Sequence, residues 1–209
     1  MAELADAPDL GSVTTVELSH LCDDFVRQIG IYRGNIMVNK FINFLNSIDG
    51  ASLRAATDDE IRKLKELSEK LPDVFVKIYS QAVPENKIEY EDFVFYDIDR
   101  ICVENTIAVP GANILPFGLF TFASTFDGDA ICVDLNDPNL PVYQCSHSLL
   151  EDETKISYYK KNMITLAFNY ENILKVSPKL ADSLSDFVSK LINNNTETYS
   201  VTDIIDMLY

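Results

Sequence analysis

Apolar residues in this chain recur first at helical spacing, then at strand spacing, then again at helical spacing. Leu18, Leu21, Cys22, Phe25, Val26 and Ile29 fall on one helix face after a Thr14-x-x-Glu17 capping pattern, and Gly30 sits where a helix ends. The spacing predicts a second helix over Ile36 to Ile48, with Val38, Phe41, Ile42, Leu45 and Ile48 on one side and Asp49-Gly50 closing it. Thr57-Asp58-Asp59-Glu60 is a fuller capping box, and its three acids also suit the positive end of a helix dipole. Ile61, Leu64, Ser68 and Leu71 line the helix it starts. Pro72 opens a fresh helix whose buried stripe is Val74, Phe75, Ile78, Tyr79 and Ala82, and Pro84 ends it.

Beyond the polar link Glu85 to Lys87 the period shortens. Tyr90 to Tyr96 is aromatic and partly alternating, which predicts a strand. Asp97 to Glu104 reads as a short helical turn, because Ile98, Ile101 and Cys102 share a face, and Val109 to Asn113 reads as a loop. Leu119 to Thr125 and Ala130 to Leu135 flank Asp127-Gly128, a turn that glycine favours because it tolerates positive φ. Val142 to Cys145 follows a second turn at Asn136-Asp137-Pro138-Asn139 and completes three successive strands. Lys155 to Lys175 fits helix and strand equally. After Ser177-Pro178, Leu180, Leu184, Phe187, Val188 and Leu191 predict a helix ending at Asn193-Asn194-Asn195, and Thr202 to Leu208 a last short one.

Composition narrows the class. The 209 residues are 47% hydrophobic and 11% aromatic, enough for a buried core and too much for disorder. No run approaches the roughly 20 apolar residues of a membrane span. The first residues lack a basic and then apolar leader, so a cytoplasmic location is expected. Cys22, Cys102, Cys132 and Cys145 form no CxxC pair and read as buried free thiols.

Net charge is −16, and its distribution says more than its total. Residues 85–155 hold 14 acidic and 3 basic residues, so this third of the chain carries most of the excess. Such a field repels nucleic acid and anionic lipid and attracts basic proteins, although acidic surfaces also serve solubility alone.

The motifs of catalysis are missing. The seven glycines make neither a phosphate loop nor a dinucleotide fingerprint, and there is no GxSxG or HExxH. Cys145-Ser146-His147 places a thiol and an imidazole on one strand face with no orienting acid evident, which reads as a structural polar position. Cys102, Cys132, Cys145 and His147 have zinc-ligand chemistry but not the usual close pairs. Asp127, Asp129, Asp134 and Asp137 miss the register of a calcium loop and read as solvated turn formers. No enzyme activity, cofactor or metal is expected.

Five stretches in order resemble the SUKH superfamily, which includes fungal cell-wall-assembly regulators and many bacterial immunity proteins. They are Thr57 to Phe75 with its Leu71-Pro72; Asp97-Ile-Asp-Arg-Ile101 to Asn105; Leu115-Pro116-Phe117-Gly118 with Asp127-Gly128-Asp129 to Asp134-Leu135; Pro141-Val142-Tyr143 to His147; and Ala181-Asp182-Ser183-Leu184 to Val188. The resemblance covers about residues 52–192. Gln81 to Asn86 departs from it, standing where the family often has an Asn-Gly-Gly turn, and the first 50 residues have no counterpart.

The resemblance implies an α+β fold, with helices packed on a small, mostly antiparallel sheet. Residues 1–50 are expected to form a helical extension packed on a main domain of residues 51–209. It also implies a non-enzymatic immunity protein that binds and neutralises a cognate toxin. The resemblance implies that this toxin is often a nuclease or deaminase, and the charge is compatible with a basic one met through Asp97, Asp99, Glu104, Asp127, Asp129, Asp134 and Asp137, with no nucleic-acid or membrane partner. Two alternatives stay open: an intracellular scaffold or regulator acting through the N-terminal helices, and a small-molecule sensor with a pocket between sheet and helices.

Overall fold

The computed structural model describes residues 35–208. The helix expected over Leu18 to Ile29, with Thr14, Glu17, His20 and Cys22, lies outside the described residues. The described residues from 37 onward form one compact unit. Its first helix, α1, covers residues 35–47, and Met37, Val38, Phe41, Phe44 and Leu45 are buried. The Phe41 ring meets Phe95 edge-on at 5.8 Å and Phe44 meets Tyr90 at 4.9 Å. That aromatic packing makes α1 from Met37 onward part of the same body as the residues after 51.

A short ladder of β1 (Leu53–Arg54) and β2 (Val83–Pro84) brackets two helices. In α2 (Asp58–Glu66) the expected capping box is complete: Thr57 Oγ1 accepts from Glu60 N, and the Glu60 carboxylate accepts from Thr57 N. Arg54 on β1 donates to both Glu60 oxygens at 2.8 and 2.5 Å. The Arg54 guanidinium, with help from the Thr57 N–H, holds the Glu60 carboxyl down to about 2. Helix α3 (Asp73–Gln81) starts at Pro72 as expected and turns Phe75, Ile78 and Tyr79 inward.

The main sheet has six antiparallel strands in the order β10-β7-β6-β5-β4-β3. Strands β5 (Leu119–Thr125), β6 (Ala130–Asp134) and β7 (Val142–Cys145) are the predicted meander. Gly128 has φ 90° in the first turn, where a side chain would strain the backbone. Instead of one strand over Tyr90 to Tyr96 there is a hairpin of β3 (Ile88–Tyr90) and β4 (Phe93–Phe95). Glu91 takes φ 49° at its turn, a conformation that a glutamate does not announce. Leu180 also departs from expectation: it lies on β10 (Lys179–Ala181), the edge strand beside β7, rather than in the following helix.

Helix α4 (Ile98–Thr106) runs two residues past the predicted end at Glu104. The Asn105 amide ties it to the sheet, donating to Thr121 O at 2.7 Å and accepting from Thr121 N at 2.9 Å, as a neighbouring strand would. The expected loop at Val109 to Asn113 holds a helical turn, α5 (Gly111–Ile114), with a 3-10 turn at Leu115–Phe117 after it. The undecided stretch after Lys155 resolves into a separate hairpin, β8 (Lys155–Tyr159) and β9 (Met163–Ala167), then α6 (Tyr170–Lys175). Helices α7 (Leu184–Ile192) and α8 (Val201–Met207) complete the described chain.

Both faces of the sheet are covered, so β5, β6 and β7 are buried throughout their lengths. Phe120, Phe122, Ile131 and Val133 join α1, α3 and α7 in one core. Leu119, Ala130, Cys132 and Cys145 join Ile156, Ile173 and Ile204 in the other.

Candidate binding site

The site grows from the turn between β5 and β6. Asp129 follows Gly128, is only 6% exposed, and donates its N–H to Thr125 Oγ1 at 3.1 Å. Its Oδ2 accepts from Gln144 Nε2 at 2.8 Å. Its Oδ1 accepts from His147 N at 2.9 Å and lies 2.8 Å from His147 Nδ1. A carboxylate accepts, so Nδ1 carries the proton in that contact, and Ser148 Oγ lies 3.2 Å from Nε2 on the ring's other side. Gln144 extends the network: it donates to Tyr199 O at 2.7 Å and accepts from Tyr199 N at 2.8 Å. One carboxylate thus fixes the end of β7 and, through Gln144, the segment leading into α8.

Beside this network lies a cavity of about 450 Å³, walled by Thr125, Asp127, Asp129, Ser146, His147 and the run Thr198 to Val201. Its described lining carries two carboxylates, several hydroxyls and no lysine or arginine. Phe126, next to Asp127, is 55% exposed, and its N–H donates to Asp92 O at 3.1 Å. The turns Glu91-Asp92 and Asp127-Gly128 therefore stand side by side. Thr198 Oγ1 donates to Asp92 Oδ2 at 2.9 Å and joins the third wall to them.

The seven acids singled out in the sequence do not make one rim. Glu104, Asp129 and Asp134 are buried at 6%, 6% and 2% exposure. Glu104 faces Arg100 Nη2 at 2.5 Å, while Asp134 accepts from Asn136 N and from Tyr170 Oη. Burial and that bond to Asp134 push the Tyr170 phenol up to about 12. Asp97 caps α4 through Arg100 N, Asp99 pairs with Lys63 at 2.7 Å, and Asp137 accepts from Asn139 N in its own turn. Asp127 is exposed and has no hydrogen bond or ion pair among the described residues. Successive hairpin turns lie at opposite ends of their shared strand, so about 17 Å of β6 separates Asp127 and Asp129 from Asp134 and Asp137. Glu91 and Asp92 were absent from the expected set, yet they adjoin Asp127.

Cys145 does not meet His147. Its Sγ lies 3.1 Å from Cys132 Sγ in the core, and burial with that neighbour pushes the Cys132 thiol well up. The imidazole has Asp129 as the orienting acid that the sequence did not reveal. Among the described residues no three His, Cys, Asp or Glu side chains converge as metal ligands, and no helix is long and apolar enough to cross a membrane. No family model, curated protein or solved structure matches the chain.

Proposed function

We propose that this chain is a non-enzymatic binding protein of the SUKH immunity type, which captures a basic protein toxin and blocks it. The reading rests on the sheet end where Glu91, Asp92 and Asp127 cluster around the exposed Phe126. An aromatic anchor within an acidic surround suits a basic surface, because opposite fields speed encounter and the ring supplies desolvated contact. Enzymes that act on nucleic acid carry basic clefts, so an acidic end of this kind competes for the surface that the substrate would use.

The test is co-expression of the full chain with the product of the gene beside its own. The expected result is a stable complex and relief of growth arrest. The charge reversals Glu91→Lys, Asp92→Lys and Asp127→Lys together slow association at least tenfold at low salt and flatten its salt dependence. Persistent arrest with no complex overturns the immunity reading. Unchanged association by the triple variant overturns the choice of surface.

A further inference from the structure

We infer that the cavity beside Asp129 receives a single guanidinium side chain from the captured protein, an inference that rests on the binding reading above. Ser146 carries the argument together with the two carboxylates. It lines the cavity and is 1% exposed, and its hydroxyl has no hydrogen-bond partner among the described residues. The hydroxyl is not sealed off as an unpaired buried atom but opens on the cavity, where a donor entering can pair with it. Asp127 offers a second acceptor without an internal partner.

Asp129 contributes differently. Its carboxylate is already held by Gln144 and His147, so it presents negative charge in a fixed position and needs no ordering on binding. Two carboxylates disfavour an anion, and among the described residues no three ligand side chains converge here. A cation with several donors spread in a plane suits acceptors spread over a wall better than a compact ammonium does.

The experiment titrates the isotope-labelled full-length protein with N-acetyl-arginine amide, following its amide resonances. N-acetyl-citrulline amide, uncharged and nearly the same shape, and N-acetyl-lysine amide are the comparisons. Saturable shifts are expected at Thr125, Asp127, Ser146 and Thr198, with a Kd of about 1 mM for the arginine probe and at least tenfold weaker binding of the other two. Asp127→Asn, an exposed and fold-neutral change, weakens the arginine probe at least tenfold, and Ser146→Val does the same where it folds. Shifts elsewhere, no shifts, citrulline or lysine equal to arginine, or an Asp127→Asn variant that binds as the parent does each overturn the inference. Capture of a toxin unaltered by Asp127→Asn and Ser146→Val removes the cavity's role and leaves the immunity reading standing. Arginine binding in the cavity of a protein that captures no toxin keeps the site and removes that reading.

Discussion

Asp129 and His147 are joined twice through one oxygen: Asp129 Oδ1 takes both the backbone N–H of His147 and the proton on its ring Nδ1, at 2.9 and 2.8 Å. The other oxygen takes Gln144 Nε2, so the whole carboxylate faces donors. An asparagine cannot replace it, because whichever way its amide turns, an NH₂ group meets a donor already there. Asp129→Asn is expected to cost about 2 kcal/mol in urea unfolding, the size of a lost charge-assisted bond with a buried donor left unpaired. Asp127→Asn two residues away leaves stability unchanged. Equal stability of the Asp129 variant would mean that the network does not hold the end of β7.

Two glycines separate steric from conformational demand. A Cβ on Gly111 would sit 2.1 Å from the carbonyl oxygen of Glu104 and 2.9 Å from Thr121 Oγ1, so α5 and α4 would have to move apart. A Cβ on Gly128 meets nothing within 4 Å, and only its φ of 90° resists substitution. Gly111→Ala should therefore lose about 3 kcal/mol of stability and Gly128→Ala about 1 kcal/mol. The reverse order in chemical denaturation would contradict the close approach of α5 to α4.

Glu60 sets a pH dependence. Its folded carboxyl titrates at about 2, below its ordinary 4.5, because Arg54 and the Thr57 N–H bind the ionised form. A lowered value means that the stabilisation is complete above about 4.5 and is lost as pH falls toward 2. Arg54 is 38% exposed and solvent screens the pair, so Glu60→Gln should cost only about 1 kcal/mol at neutral pH. The variant's stability should also fall less steeply with acid, which parallel unfolding curves from pH 7 to pH 3 would show.

The meander and the Thr57 capping box were legible because their determinants are local: alternation, an Asp-Gly turn, and a threonine three residues before a glutamate. The hairpin at Glu91-Asp92 was hidden because its turn uses a positive φ at a glutamate. Lys155 to Lys175 was hidden because one face of β8 and both ends of β9 stay exposed, which blurs the apolar period. Asp129 was read as a surface acid because its polarity is visible in sequence while its partners, 15 and 18 residues away, are not. A signal did exist. The pairing of Ala130 with Cys145 continues by one step to set Asp129 opposite Ser146, beside His147. Aligning β6 on β7 across their turn would have brought acid and imidazole together.

The Asp129–His147–Ser148 chain has the order of contacts found in an activated serine nucleophile, and it makes a decisive prediction. Ser148 is the residue directly after His147, and its Oγ stands 3.2 Å from Nε2, at the outer limit of a working proton transfer. Asp129 holds the ring at two points, and Ser148 Oγ meets Nε2 only at that limit. Ser148 Oγ should therefore retain the weak reactivity of an ordinary exposed serine. A fluorophosphonate incubated with the full-length protein is expected to leave Ser148 unlabelled by mass spectrometry. Stoichiometric labelling that disappears in both Ser148→Ala and His147→Asn would identify an activated nucleophile, and with it hydrolytic chemistry in place of a purely binding role.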